Sequence, residues 1–379
     1  MNIKFIVIIL ISNVHSQIND TLDVIKKFGF SAESYRFKTA DGYLLTMQRI
    51  FPNNNGHTKK APCLIMHGIF SLSLQFLQLQ NDSLAFLLAN SGHDVFLANA
   101  RGTKYSSHAT YSKNSSQFWN FSHHEIGYYD LPAMIDTVLA ITRSDKLIYI
   151  ASSQGAAISM VLLSTQPEYN QKIIEAHYLG PAIFLGGGSN LFLRSDLGLL
   201  TRHNMIDLTD INSIIKPIYM KHCNKNKHFG FILCILQEIA NFGLNINAVE
   251  VDFELQKYYV DNHAPQISKK QFDHFKQLTK SRKFQYFDYG GENIKIYGTR
   301  YPPEYDLSRV TVPIYIYWGT LDTTIGKEDI QNIINSPLNV KSVRVIKNFN
   351  HFDYEASRRA KDAIYMPIVK QLNSFNHLY

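Results

Sequence analysis

The chain has 379 residues, 45% hydrophobic, 13% aromatic and 18% charged, with a formal net charge of +7. That apolar content suits one large α/β domain carrying an insertion, or two domains. The positive charge is spread thinly: lysines are scattered between Lys216 and Lys283, and no nucleic-acid motif accompanies them. The composition therefore reads as a solvated basic surface, with no nucleic-acid partner; attraction to an anionic lipid surface is the sharper alternative.

Residues 1–16 read as a secretory signal peptide: Lys4, an apolar run from Phe5 to Ile11, and small residues up to Ser16. The run is too short to span a bilayer, and no later segment reaches the length of a membrane helix; Phe231–Leu236 is the densest and stops at Gln237-Glu238. A secreted chain is the expectation, with an uncleaved amino-terminal anchor as the alternative. Asn19, Asn81, Asn114 and Asn120 each open an Asn-x-Ser/Thr sequon. Asn81 and Asn114 are the better glycosylation candidates, because Asn19 lies near the mature terminus and Asn120 lies between Trp119 and Phe121.

A helix and then a hairpin are expected over residues 20–60, with strand-like runs at 34–39 and 43–50 joined by Asp41-Gly42. Ala61–Met66 reads as a buried strand ending at His67-Gly68, 84–90 as a helix stopped by Ser91-Gly92, and 94–97 as the next strand. A helix follows over 130–142, with Leu131, Met134, Ile135, Val138 and Leu139 on one face. Leu147–Ile150 is a strand and Ala156–Ser164 a helix. Strands alternating with helices predict a mostly parallel sheet covered on both sides.

From about Phe184 to about Arg300 the alternation stops. Segments 191–200, 211–220, 229–242 and 272–278 mix apolar and polar residues at helical spacing, which predicts a helical insertion. The sheet pattern returns at Val310, with apolar runs at 312–319 and 343–346. Of three cysteines, Cys63 falls in a strand and reads as a buried, inert thiol. Cys223 and Cys234 bracket a short loop and form the candidate disulfide; if bridged, they would stabilise that region by roughly 3 kcal/mol on the loop-entropy model. No Cys/His spacing suits a metal, and no cofactor is implied.

The chemistry concentrates at Ser153. A run of apolar residues ends in a serine that leads at once into a helix, a turn so tight that the residues two before and two after must be small. They are Ala151 and Gly155. A serine hydroxyl needs a base, and a base needs an orienting acid, in the chain order Ser, acid, His. Asp322 follows the strand that ends at Gly319, and His351 follows the one that ends at Ile346. Asp329 and Asp353 are rival acids; Asp322 is better placed and Asp353 suits a cap. The backbone N–H groups of Gln154 and of Ile69, in the loop after the early strand, are the candidate oxyanion donors.

Further motifs surround these residues: Asp41-Gly-Tyr-Leu-Leu45, His67-Gly68, Gly92-His-Asp-Val95, Asn99-Ala-Arg-Gly102, Phe118–Ser122, His124–Asp136, Tyr301-Pro-Pro303 and Asn350-His351-Phe-Asp353. With Ser153-Gln-Gly155 and Gly319…Asp322, the chain from about residue 22 to its end resembles the animal acid lipase family, which includes gastric and lysosomal acid lipases and insect relatives. The resemblance implies an α/β-hydrolase core formed by 17–183 and 301–379, with a helical cap and lid over 184–300. It also implies metal-independent hydrolysis of acylglycerols or sterol esters at a lipid–water interface, with Ser153, Asp322 and His351 as nucleophile, acid and base and Ile69 and Gln154 as oxyanion donors. It leaves the lysosome lumen as an alternative address.

Three positions depart from the family's pattern. Ala151-Ser152 stands in place of Gly-His before the nucleophile, Ala98 in place of a glycine, and Ile267 where a glycine is usual. The first is expected to alter local hydrogen bonding or the pH profile. The competing readings are a carboxylesterase for smaller soluble esters and a lipid-binding protein of the same fold without catalysis.

Overall fold

The computed structural model describes residues 20–52, 60–189, 201–207 and 266–374. The signal peptide, Asn19, Cys223, Cys234 and the expected helices at 191–200, 211–220 and 229–242 lie outside the described residues.

The hairpin forms as the sequence suggests, from β1 (Ala32–Lys38) and β2 (Tyr43–Ile50). Its turn is closed by Thr39, whose hydroxyl lies 2.6 Å from Asp41 Oδ1 and accepts the Tyr43 N–H at 2.9 Å. The remaining strands of the main sheet are β3 (Cys63–Met66), β4 (Val95–Leu97), β5 (Ser106–His108), β6 (Leu147–Ser152) and β7 (Ile173–Leu179). Three short strands follow, β8 (Thr201–Arg202), β9 (Met205–Asp207) and β10 (Gln266–Ser268), and then β11 (Ile314–Gly319) and β12 (Val340–Ile346). The main sheet runs β1-β2-β4-β3-β6-β7-β11-β12, with β5 paired to β2. Pairing is antiparallel around β2 and parallel from β4 to β12.

Every residue of β3, β4 and β6 is buried, as expected for parallel strands covered on both faces. Their side chains alternate between two cores. Leu64, Met66, Phe96, Tyr149 and Ala151 point to one face, where the helices Leu131–Thr142 and Gln154–Thr165 pack. Cys63, Ile65, Val95, Leu97, Ile148 and Ile150 point to the other, against the helices Thr21–Lys27, Leu84–Asn90 and Met366–Ser374.

Two findings depart from the sequence reading. β7 was not anticipated, because its apolar run is broken by Glu175 and His177. Both are buried, and they pair with each other at 3.0 Å. The span 184–300 is not wholly helical either: β10, β9 and β8 form a separate three-stranded antiparallel sheet. Strands of two or three residues are too short to show a period of two. The expected helical segment at 272–278 is part of a longer helix, Lys269–Ser281, capped by Ser268 and ended by Arg282 in the left-handed region. Its Phe272, Phe275 and Leu278 join the core that holds Tyr149 and Ala151.

Asp41, Arg101 and Asp130, drawn from three of the sequence motifs, meet in one ion cluster. The Arg101 guanidinium is buried and reaches Asp130 Oδ1 and Asp41 Oδ2, each at 2.6 Å, with its carbon 3.9 Å from the centre of the Tyr43 ring. This cluster ties the hairpin turn to the loop after β4 and to the start of the Leu131–Thr142 helix.

Candidate active site

Ser153 follows the last residue of β6 and caps the Gln154–Thr165 helix with φ of 50° and ψ of −114°. That conformation is costly for a side chain with a Cβ and persists only where its surroundings fix it. The fixing contacts are backbone ones: Ser153 N–H donates to Leu179 C=O at 2.9 Å, and Ser153 C=O accepts from Ala156 and Ala182, both at 3.1 Å. Crowding also explains Gly155. A Cβ there would lie 2.9 Å from the Ala151 Cβ and 3.0 Å from the Met66 carbonyl oxygen.

β6, β11 and β12 are parallel, so the loops that follow them emerge along one edge of the sheet. Asp322 and His351 lie in the loops after β11 and β12. His351 Nε2 is 2.9 Å from Ser153 Oγ, and His351 Nδ1 is 2.8 Å from Asp322 Oδ2. A carboxylate only accepts, so Nδ1 carries the ring proton and Nε2 is free to accept from the serine hydroxyl. The Asp322 side chain is sealed off, whereas that of His351 is 14% exposed and so reachable. Asp322 accepts three further hydrogen bonds: from the N–H groups of Thr324 and Ile325 to Oδ1, at 2.9 and 2.8 Å, and from Tyr354 OH to Oδ2 at 2.9 Å. Burial pulls the His351 pKa down, but the charge and hydrogen bond of Asp322 outweigh it and hold the imidazole above its ordinary value.

The rival acids are occupied elsewhere. Asp329 accepts the N–H groups of Gly187 at 2.9 Å and Gly326 at 2.8 Å, opening the Lys327–Asn335 helix. Asp353 accepts the Asn350 N–H at 2.7 Å, the capping role its spacing suggested.

The loop after β3 brings the other candidate donor alongside. A Cβ on Gly68 would stand 3.2 Å from the Ser153 Cβ, so this backbone runs close beside the serine. His67 fixes the start of the loop. Its Nε2 accepts the Ala100 N–H at 3.2 Å, so Nδ1 donates to the Gly68 carbonyl at 2.7 Å. Burial lowers the His67 pKa to about 4 despite that bond. Gln154 opens a helix, where a backbone N–H has no intrahelical acceptor. Its side chain is held by Gln271 Nε2 at 2.6 Å, and Phe70 packs edge-on to Phe272. The Lys269–Ser281 helix thus touches both sides of the candidate oxyanion pocket.

Tyr354, Gln271, Gln75 and Glu355 escaped the sequence reading. Only their closeness in the chain to His351 marked Tyr354 and Glu355, and nothing in the sequence marked the two glutamines. Among the described residues, no group of three or more His, Cys, Asp or Glu is arranged to hold a metal ion. Cys63 is free and buried, and burial pushes its thiol well up, so it stays protonated. Asn81, Asn114 and Asn120 lie in described parts of the chain, and all three are exposed. Trp119 and Phe121 are fully buried, and Asn120 between them is exposed.

Two family models match, a partial α/β-hydrolase lipase region over residues 21–80 and the α/β hydrolase fold over 62–181. Lipase 1 of Drosophila melanogaster is 32% identical, covering 92% of this chain and 78% of its own. This chain belongs to the lipases of the α/β-hydrolase fold. Gastric triacylglycerol lipase of Bos taurus is 30% identical over 91% of this lipase and 89% of its own length. Among solved structures, a soluble variant of monoglyceride lipase from Saccharomyces cerevisiae shares the fold, with a TM-score of 0.53, 14% identity and coverage of 90% and 94% of the two chains. No described helix of the lipase is long and apolar enough to cross a membrane.

Proposed function

We propose that this lipase hydrolyses carboxylic esters of neutral lipids, acylglycerols first and sterol esters second, through an acyl-enzyme on Ser153. The carrying observation is the hydrogen-bonded relay Ser153–His351–Asp322 at one sheet edge. Ser153 Oγ attacks the ester carbonyl carbon as His351 Nε2 takes its proton, and Asp322 stabilises the imidazolium. The carbonyl oxygen becomes an oxyanion facing the N–H groups of Ile69 and Gln154. The C–O bond to the alcohol then breaks, His351 returns the proton to the departing oxygen, and the acyl group stays on Ser153. Water, deprotonated by His351, attacks the acyl carbon; the fatty acid leaves and the serine proton is restored.

The apolar character of the segments between Phe184 and Arg300 favours a greasy substrate under a cap. The leader-like residues 1–16, the sequons at Asn81, Asn114 and Asn120 and the Cys223/Cys234 pair favour a secreted glycoprotein, with the lysosome lumen as the alternative address.

The test compares emulsified long-chain triacylglycerol with a dissolved short-chain ester, from about pH 4 to about pH 8, for the secreted protein and Ser153→Ala. The expected result is turnover that rises sharply at the emulsion and vanishes in the variant. Ser153-dependent turnover of the dissolved ester alone would make it a soluble carboxylesterase. Folded protein with no Ser153-dependent turnover on either would make it a lipid-binding protein.

A further inference from the structure

A second buried carboxyl, whose charge acts on the His351 imidazole, plays no part in the proposed reaction. Glu355 stands four residues beyond His351 in the short helix Asp353–Ala356 and is 4% exposed. Its carboxyl meets the hydroxyl of Ser152 at the end of β6, the amide of Gln75 in the turn Ser73–Leu77, and the charges of His351 and Asp322. Gln75 continues the path: its Nε2 lies 3.4 Å from Ser152 Oγ, and its Oε1 accepts the Gly68 N–H at 3.2 Å. Buried hydrogen bonds therefore link Glu355 to the loop that carries Ile69. One oxygen of Glu355, Oε1, is buried without a hydrogen-bond partner among the described residues. The phenols of Tyr354 and Tyr365 complete the titratable surroundings. A buried carboxylate without a counter-charge is costly, and the cation this site can offer is the imidazolium of His351.

We infer that Glu355 is a positioning residue for the relay, a second buried carboxylate that stabilises the His351 imidazolium and is held to the site by Ser152 and Gln75. The inference rests on the proposed relay of Ser153, His351 and Asp322. Burial pushes the Glu355 carboxyl up to about 7, against the Ser152 hydrogen bond and the His351 charge. Its charge and that of the imidazole act on each other, so the two groups release their protons as a coupled pair. An ionised Glu355 makes His351 a stronger base, raises its pKa and so places the acid limb of the activity profile at higher pH. Removing the charge moves that limb to lower pH.

The experiment measures kcat/KM on a dissolved short-chain ester from about pH 4.5 to about pH 9 for the full chain, Ser153→Ala, Glu355→Gln and Ser152→Ala, with circular dichroism as the fold check. Glu355→Gln is expected to shift the acid limb down by about one pH unit and to lower kcat with little change in KM. Ser152→Ala removes a donor to the ionised carboxyl, so it shifts the limb the same way by less; it carries the test should Glu355→Gln not fold. Glu355→Asp is expected to restore part of the shift, which a purely space-filling role would not do. Turnover lost in Ser153→Ala, together with an acid limb unmoved in the folded Glu355 and Ser152 variants, overturns the inference and leaves the relay standing. Turnover surviving in Ser153→Ala overturns the relay, and the inference with it.

Discussion

Tyr354 donates its hydroxyl to Asp322 Oδ2, the same oxygen that receives His351 Nδ1, and that hydroxyl itself accepts the Gly319 N–H at 2.8 Å. The end of β11 is thereby tied to Asp322 through a tyrosine supplied by the short helix Asp353–Ala356 after β12. Tyr354→Phe keeps the ring and deletes the bond. It is expected to cost about 1–2 kcal/mol of stability in urea unfolding and to lower kcat several-fold, because Asp322 keeps its two backbone donors. Asp322→Asn reverses the polarity of the partner and is expected to lower kcat by roughly 10⁴-fold. Asp329 and Asp353 cap backbone instead, so Asp329→Asn and Asp353→Asn are expected to lower the unfolding midpoint while leaving kcat within the same order of magnitude. Steady-state kinetics on all four variants separates the roles, and an Asp329 or Asp353 variant as inactive as Asp322→Asn would contradict the assignment.

Two glycines beside the serine are expected to fail in different ways. Gly155→Ala drives a methyl toward Ala151 and Met66, its nearest contacts at 2.9 and 3.0 Å, inside a core that cannot yield. It is expected to destabilise by about 1–3 kcal/mol. Gly68→Ala meets a looser fit, 3.2 Å at its closest, but that contact is Ser153, the proposed nucleophile, and the loop bears Ile69. Near-native stability with kcat reduced by roughly 10²-fold is the expected outcome, the size of losing one oxyanion donor. Thermal melts and kinetics on the same preparations decide it; equal losses of stability in both would argue that Gly68 serves packing alone.

The strands that carry the site were legible because each is an apolar run ending in a residue with chemistry. Its place just past the strand that ends at Gly319 ranks Asp322 above Asp329 and Asp353. What stayed hidden is polar and buried. β7 was masked by Glu175 and His177, a pair satisfied only within the folded sheet and by Gln371 at 3.2 Å. Glu355 and Gln75 were hidden for the same reason, since their partners include residues far away in the chain. β5, written Ser106-Ser-His, carries no apolar signal and exists because β2 offers it an edge.

Acid lability is the last expectation. Five histidines sit with pKa values below the ordinary range: His67, His93 and His274 at about 4, His123 well below, and His124 lowered, with burial the leading cause in each. His123 is the extreme case. It stacks on His274 at 3.9 Å, and neither of its ring nitrogens has a partner among the described residues. A depressed histidine contributes stability that is present above its unfolded value, near 6.5, and is lost as pH falls toward the folded value, because the unfolded chain then binds protons the native state refuses. A histidine whose folded pKa lies one pH unit below its unfolded one forfeits about 1.4 kcal/mol in this way. His351, Glu355, Asp130 and Asp329, raised in the fold, act in the opposite sense, but they are four against five, and three of the five fall as far as about 4. Stability measured by urea unfolding is therefore expected to fall steadily between about pH 6.5 and about pH 4.5, and His274→Gln to flatten the slope. A stability curve that is level or rising toward acid would mean these rings are protonated or hydrated in the native protein. It would also remove the physical argument that the lipase holds its fold better at neutral pH than in acid.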